Sequence, residues 1–425
     1  MEKNIALHSS LMTLDKAKKK IDKFYDNLRD YSLNNFSLKS SLSLNLNNRK
    51  TLYCSQIIEN YSADFSVIFI LTGGVESIAQ DIINKTKKKV LLIGLENDNS
   101  LPACYELKSF NDKEKVELLY FGSSQKDYAA QKFMERMQTI SKCTHILNYF
   151  RKINIGIIGG ISDWLLNSQA QAFPPEFDIN LVNIDFQELL ETYESTPTNE
   201  CKPLLKHWKK IFQLKGIDPS ELEKSARVYY ALFKIIKKYK LSAFTIKCFD
   251  LLPHQVTACL ALAEFNSHGV AAGCEGDTQA LFTSIFAMLA SDYFSWMANI
   301  SDINIKDNTI QLAHCTVPLN FLVNRDNIAL DTHMESGLSL AVCGDIRKSD
   351  VTLIRIGKSM SDYSILEGEI IDSNMGNKNI CRTQILVKVK DTDNWYDRII
   401  GNHQILVREH HKEQLEKCLK NLASN

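Results

Sequence analysis

The chain has 425 residues, of which 44 % are hydrophobic and 24 % are charged, so it has the composition of a globular protein and the length of two or three domains. Fifty basic residues balance fifty acidic ones, which excludes a strong overall field steering the chain to nucleic acid or to a membrane surface. We therefore expect local sites to carry the function.

Cysteine spacing and apolar segments indicate the compartment. The eleven cysteines contain no CxxC pair, and most lie in apolar runs, which is typical of reduced, buried thiols rather than of a disulfide framework. The first residues, "MEKNIALHSSLMTLDKAKKK", lack the apolar core of a secretion signal. The apolar runs "VIFIL" and "VLLIGL" are much shorter than the ~20 residues of a membrane helix. These features predict a cytoplasmic protein.

The first third of the chain has the pattern of a parallel sheet. Residues 1 to about 60 are polar and look helical in patches, with a Ser/Leu/Asn-rich stretch. Continuous apolar runs then alternate with helical patterns: "SVIFIL", "VLLIGL" and "VELLYF". Such alternation is typical of parallel strands covered on both faces by helices. It predicts a Rossmann-like α/β domain over residues 1–152.

The same pattern restarts and then changes. "INIGIIGG", "FDINLVNIDF", a long helical segment at 219–240 and "AFTIKCFDLL" predict a second Rossmann-like α/β domain over 153–295. Beyond residue 300 come short segments rich in β-branched residues: "NTIQLAHCTVP", "SLAVCGD", "VTLIRIG", "YSILEGEIIDSN" and "CRTQILVKV". They predict a β-rich, antiparallel, barrel-like domain over 296–425 with a closing helix.

Two glycine pairs follow predicted strands, where a phosphate-binding loop could lie. Gly73-Gly74 and Gly159-Gly160 complete neither GxGxxG nor a P-loop. Turn geometry alone accounts for them. The incomplete glycine motifs therefore argue against a dinucleotide-dependent enzyme.

The segment "HGVAAGCEGDTQAL", residues 268–281, places Glu275 and Asp277 among small residues near the end of the second α/β domain. Ligands bind such sheets at the carboxyl ends of the strands. Asp277 is predicted to cap the helix "TQALFTSIFAMLAS". Glu275 then lacks a role in a segment predicted to be buried, and a buried carboxylate needs a cation or several donors.

Histidines supply candidate partners for Glu275. His314 lies in "IQLAHCTVP" and His403 in "IIGNHQILV". A lone histidine in an apolar strand is usually a satisfied core residue, but two in one domain, with an unexplained glutamate before it, make a shared metal ion an equal alternative. His333, near Glu335, is a further candidate for contact with a substrate.

Several segments together resemble the L-fucose isomerase and L-arabinose isomerase superfamily, and within it the shorter fucose-isomerase-like members. The resemblance runs from about residue 65 to the end and is carried by "NDNSLPACYEL", "IGIIGGISDWLLNS", "GCEGDTQALFTSIFAMLASDYFSWMANI", "AHCTVP", "ESGLSLAVCGD" and "GNHQILV". It implies two α/β domains plus a β-rich domain, a divalent cation, typically Mn²⁺, and a homo-oligomer (trimer, tetramer or hexamer).

The resemblance also implies a ligand set. Glu275 matches the first metal-binding glutamate, His403 the metal-binding histidine near the C-terminus, and His314 a histidine ligand of the arabinose branch. The remaining ligand position, a carboxylate in the well-known isomerases, holds Asn299 here. Asn299 can offer a carbonyl oxygen to a cation but cannot accept a proton as a base, so Glu275 would have to serve as base, helped by Asp277 or Glu335.

The resemblance, together with Glu275, His314 and His403, implies a metal-dependent aldose–ketose isomerase, an intramolecular oxidoreductase. It would act on a five- or six-carbon sugar or derivative by enediolate proton transfer. The alternative is a non-catalytic sugar-binding or regulatory protein that kept the fold, since fold alone does not determine function. Plausible contacts for the far end of the sugar are Trp164, Trp296, Arg355 and Arg382, each of which also has an ordinary structural explanation.

Overall fold

A computed structural model describes residues 3–7, 12, 14–29, 66–86, 89–112, 115–170, 172–175, 177–214, 216–323 and 328–423. The predicted Ser/Leu/Asn-rich stretch lies outside the described residues. The described residues form a mixed α/β fold with two parallel sheets and a closed antiparallel barrel. This confirms the predicted combination of parallel α/β regions with a β-rich, barrel-like region. The fold divides into two compact units, one reaching Thr144 and one running from His145 to Ala423.

The first unit contains a four-stranded parallel sheet in the order β1-β2-β3-β4. Its strands are β1 (Lys3–Leu7), β2 (Ser66–Ile70), β3 (Val90–Leu95) and β4 (Val116–Phe121). Its helices are α1 (Leu14–Arg29), α2 (Glu76–Lys85), α3 (Ser100–Phe110) and α4 (Lys126–Phe150), the last of which crosses into the second unit. β3 is buried along its whole length, which is why its run "VLLIGL" is continuously apolar.

The second unit begins with another four-stranded parallel sheet, in the order β6-β5-β7-β8. Its strands are β5 (Asn154–Ile158), β6 (Asn180–Ile184), β7 (Leu241–Ile246) and β8 (Ala271–Gly273). Its helices are α5 (Leu166–Ala170), α6 (Phe186–Ser195), α7 (Thr198–Ile211), α8 (Pro219–Tyr239) and α9 (Cys259–Ser267). The strand order reverses between β5 and β7, so a crevice forms at their carboxyl ends.

The barrel strands close in the order β10-β15-β14-β13-β16-β9. They are β9 (Ser295–Asn304), β10 (Thr309–His314), β13 (Asp350–Ile356), β14 (Tyr363–Ser373), β15 (Thr383–Val389) and β16 (His403–Arg408). The short helix α11 (Thr392–Tyr396) lies between β15 and β16, and the closing helix α12 (Lys412–Ala423) follows β16. The segment "SLAVCGD" differs from prediction: its strand β12 (Ala341–Cys343) is only three residues long and pairs with β11 (Ala329–Asp331) outside the barrel.

Helix α10 (Thr278–Ser291) links the second sheet to the barrel. It contacts β7, β8, β9, β13 and β16, and nearly all of its residues are buried. This explains why "TQALFTSIFAMLAS" is apolar around its whole circumference. Because α10 starts at Thr278, three residues after Glu275, its position brings that loop to the barrel.

Two further features bear on the predictions. Among the described residues ten cysteines are free, and eight of those ten are buried, as predicted for reduced core thiols. Within the described ranges we find no helix both long enough and apolar enough to cross a membrane. The predicted boundary at residue 295 lies inside the second compact unit, so the division into three domains stays a prediction.

Candidate metal centre

The loop after β8 is clamped against the carboxyl ends of two neighbouring strands. The Gly276 N–H donates to the Ile246 carbonyl at the end of β7 (2.9 Å), and the Ser162 N–H, beyond β5, donates to the Glu275 carbonyl (3.1 Å). Glu275 and Gly276 both have left-handed backbone angles, with φ of 60° and 71°. The loop therefore lies at the strand-order reversal, where open α/β sheets bind ligands.

The small residues of this loop are explained by backbone packing. A Cβ on Gly276 would lie 2.3 Å from the Gly160 carbonyl oxygen, and a Cβ on Gly273 would lie 2.9 Å from Thr245 Oγ1. The backbone that approaches so closely is thus the turn after β5. Gly160 itself has a φ of +89°, consistent with the turn role predicted for the glycine pair.

Three potential metal ligands converge at this loop. One ligand atom each from Cys274, Glu275 and His314 lies within 4.8 Å of the other two. Glu275 Oε2 accepts a hydrogen bond from Trp164 Nε1 (2.7 Å), and the Glu275 side chain keeps 12 % of its exposure. The His314 ring is buried, and its Nδ1 lies 2.9 Å from Thr316 Oγ1. The three ligands are therefore largely buried, with the half-exposed Trp164 in contact with Glu275.

His403 completes the surroundings of Glu275. Its ring is fully buried, its centroid lies 5.4 Å from that of His314, and its Nε2 lies 3.6 Å from Glu275 Oε1. Its Nδ1 is 2.8 Å from Asp277 Oδ2. A carboxylate on one ring nitrogen fixes the tautomer and turns the other nitrogen outwards, which is the usual arrangement behind a metal-binding histidine.

Asp277 is a buried carboxylate with more partners than its capping role requires. It caps α10 as predicted, since its Oδ1 accepts from the Ala280 N–H (2.8 Å). It also accepts from Ser168 Oγ (2.8 Å) and from Arg355 Nη2 (3.0 and 3.1 Å to its two oxygens). Burial opposes its ionisation, but Arg355 and His403 hold its pKa well below the usual range.

The same groups set the charges around Glu275. Burial opposes its ionisation, but His403, the Trp164 hydrogen bond and His314 lower its pKa to about 2. Burial and the charge of His403 lower the pKa of His314 to about 4, so this imidazole is neutral at pH 7 and can bind a cation. Burial also opposes the charge on His403, but its hydrogen bond to Asp277 and the nearby negative charge of Glu275 outweigh burial and raise the pKa to about 9.

Asn299 lies at the same end of the barrel. It sits on β9, directly opposite His403 on β16 and opposite Ala313, the neighbour of His314 on β10. Asn299 Oδ1 and His403 Nε2 are both buried atoms without a hydrogen-bond partner. Buried polar atoms normally find a partner. The unpartnered Nε2 of His403, beside the Glu275 carboxylate, therefore fits a bound cation, and strand pairing brings the Asn299 backbone next to His403.

The structure thus brings two predicted ligands, Glu275 and His314, into one donor set and places His403 beside Glu275. Asn299 lies on the neighbouring strand. The prediction did not include Cys274 as a ligand or Asp277 as the partner of His403. Only the adjacency of Cys274 to Glu275 could have suggested the first, and nothing in the sequence pairs residues 277 and 403.

The candidate sugar contacts differ in their surroundings. Trp164 is half exposed and touches Glu275, so it alone of the four is placed at the described site. Trp296 is buried in the core, and Arg355 is buried against Asp277. Arg382 donates to the Thr332 carbonyl at 2.7 Å. His333, the other candidate, is buried with its Nδ1 2.9 Å from Ser336 Oγ.

Comparison with protein-family models gives no match, and comparison with the curated proteins gives none either.

Proposed function

We propose that this chain is a metal-dependent aldose–ketose isomerase acting on a five- or six-carbon sugar or derivative. The observation that carries the proposal is the convergence of Glu275, His314 and Cys274 within 4.8 Å, beside a His403 held by a buried aspartate. A non-catalytic fold needs no such set of ligands and orphaned atoms.

Glu275, His314, His403 and Asn299 are proposed to surround a divalent cation, Mn²⁺ or another ion, with His403 giving up its Nε2 proton as the cation binds. When bound, the cation supplies Lewis-acid polarisation of two neighbouring sugar oxygens, which acidifies the proton on carbon. Glu275 is ionised at neutral pH, and the Trp164 N–H occupies its Oε2, so Oε1 remains to accept a ligand or a proton. We assign to Glu275 the proton transfer between C1 and C2.

Trp164 is proposed to orient both the carboxylate and the sugar. Its N–H holds Glu275 Oε2, while its ring packs edge-to-face on Phe249 with centroids 5.2 Å apart. About half of the side chain remains exposed, which leaves an aromatic face at the entrance. Sugar C–H surfaces pack well against such faces.

The wider features of the proposal follow the resemblance. The two parallel-sheet regions would be Rossmann-like, and the protein would be a cytoplasmic homo-oligomer, consistent with its free thiols. The alternative, a sugar-binding or regulatory protein without activity, is favoured by one observation: Asn299 replaces a carboxylate and removes a negative charge from the cation site.

Sugar conversion tests the proposal. The protein is freed of metal with a chelator, supplied with Mn²⁺, and assayed for ketose formation on a panel of five- and six-carbon aldoses. Glu275→Gln is expected to lower turnover by roughly 10²- to 10⁴-fold, the usual contribution of a positioned base.

Glu264→Gln is the matched control. Glu264 is also a buried glutamate that accepts a tryptophan N–H (Trp208 Nε1, 3.0 Å) and lies 3.1 Å from a histidine, but it lies outside the proposed site. It should retain turnover. Sugar binding without conversion by the wild type would favour the non-catalytic alternative, and equal turnover in Glu275→Gln would contradict the assignment.

A further inference from the structure

The donor set of the proposed site contains a sulfur atom. Cys274 is buried, and its Sγ lies within 4.8 Å of a Glu275 oxygen and a His314 nitrogen. Carboxylate, carbonyl and water oxygens are the ligands that suit manganese and magnesium, whereas thiolate ligands select softer or borderline ions such as Zn²⁺. Sulfur at this position therefore bears on which cation the site takes.

The backbone explains how neighbouring side chains reach one point. In an extended strand, residues 274 and 275 would project to opposite faces of the sheet. The left-handed φ of Glu275 (60°) interrupts that alternation directly after β8. Such a conformation is unfavourable for a residue with a Cβ, and it is retained here where it lets the thiol and the carboxylate converge.

We propose that Cys274 binds the cation as a thiolate, so that Cys274, Glu275 and His314 are its direct ligands, with His403 and Asn299 around them, and the site is selective for a borderline divalent ion such as Zn²⁺ or Co²⁺. The thiol proton leaves to solvent as the sulfur binds. Three protein ligands leave a position open, which is the arrangement of catalytic rather than structural zinc sites. This inference deepens the proposed function and rests on it.

A second thiol makes the assignment testable. Cys248 is buried next to Cys274, with the two sulfurs 3.1 Å apart, but it is not among the three converging ligands. Cys248→Ser therefore removes a neighbouring thiol of the same burial without removing the proposed ligand. Cys274→Ser removes the ligand and leaves a hydroxyl of similar size.

The test loads Co²⁺ into the metal-free full chain under reducing conditions and records its absorption. The wild type and Cys248→Ser are expected to show a near-ultraviolet sulfur-to-cobalt charge-transfer band, and Cys274→Ser is expected to lose it. Competition between Co²⁺ and Mn²⁺ gives a second readout. Cys274→Ser should lower the affinity for Co²⁺ by roughly 10- to 100-fold or more, since the loss of even an outer-shell partner costs that much, and should lower the affinity for Mn²⁺ less.

The outcomes separate this inference from the proposed function. Bound Co²⁺ with no sulfur band in the wild type, or an unchanged band in Cys274→Ser, overturns the thiolate ligand and leaves an oxygen–nitrogen site intact. Loss of the band in Cys248→Ser, with the band kept in Cys274→Ser, would make Cys248 the sulfur ligand and would also overturn the proposal for Cys274. Failure of the wild type to bind either ion contradicts both.

Discussion

Replacing Asp277 by asparagine tests the electrostatic support of the site. If the asparagine carbonyl takes the place of Oδ1, it keeps the bonds from Ala280 and Ser168, so the helix cap survives. The amide group then replaces Oδ2, which faces Arg355 and His403. The variant therefore removes a buried charge and keeps the shape of the side chain.

Asp277→Asn should lower the free energy of unfolding strongly because Arg355 is buried. Only about 1 % of its surface is exposed, and Asp277 is its ion-pair partner, so the variant leaves an uncompensated buried cation. Breaking a buried pair from one side typically destabilises by about 3–5 kcal/mol.

The amide N–H would also donate to His403 Nδ1, which places the ring proton on Nε2 and blocks that lone pair. We expect cation affinity to fall by roughly 10- to 100-fold.

Denaturant unfolding at neutral pH without metal measures the first effect. All four tryptophans (residues 164, 208, 296 and 395) lie in the second compact unit, so their fluorescence reports on the unit that holds the site. Asp218→Asn is the control, since Asp218 caps α8 by accepting from the Ser220 N–H at an exposed position. Its cost should stay below about 1 kcal/mol because asparagine and aspartate cap equally well. Equal stability of the two variants would refute the reasoning.

The remaining predictions concern the loop and the barrel. Gly276→Ala should destabilise the second unit by about 2 kcal/mol or more, measured by the same fluorescence transition, because its Cβ would overlap the Gly160 carbonyl. Gly160→Ala, also at positive φ but with nothing within 4 Å of its Cβ, should lose only the conformational part, about 1 kcal/mol. Asn299→Asp should retain the cation and bind it more tightly by calorimetry, since it restores a negative charge; weaker binding would contradict the placement of Asn299 at the site.

Most strands could be predicted from the sequence because burial leaves a strong pattern. The run "VLLIGL" coincides with β3, and the helix predicted at 219–240 coincides with α8, where Asp218 caps and Pro219 begins the helix. β9 was not predicted. Apolar Trp296, Ala298 and Ile300 alternate as a strand of period two should, but apolar Met297 and the adjacent polar pair Ser301 and Asp302 interrupt the pattern.

The site was predictable only where chemistry was visible along the chain. Glu275 and His314 could be named because a carboxylate and an imidazole stood in apolar surroundings. The pairing of Asp277 with His403 and Arg355 joins residues 126 and 78 positions apart, and such pairs depend on how the barrel packs on α10. Along the sequence Cys274 resembles the other buried thiols. It becomes a candidate ligand through the left-handed backbone angle of Glu275, which lets the thiol and the carboxylate converge.

Cation stoichiometry tests the central claim most directly. Metal-free wild-type protein titrated calorimetrically with Co²⁺, Zn²⁺ and Mn²⁺ is expected to bind one ion per chain, Glu264→Gln to bind the same amount, and Glu275→Gln and His314→Gln to lose the site. Binding that is absent from the wild type, or equal in all four proteins, would contradict a cation held by Glu275 and His314.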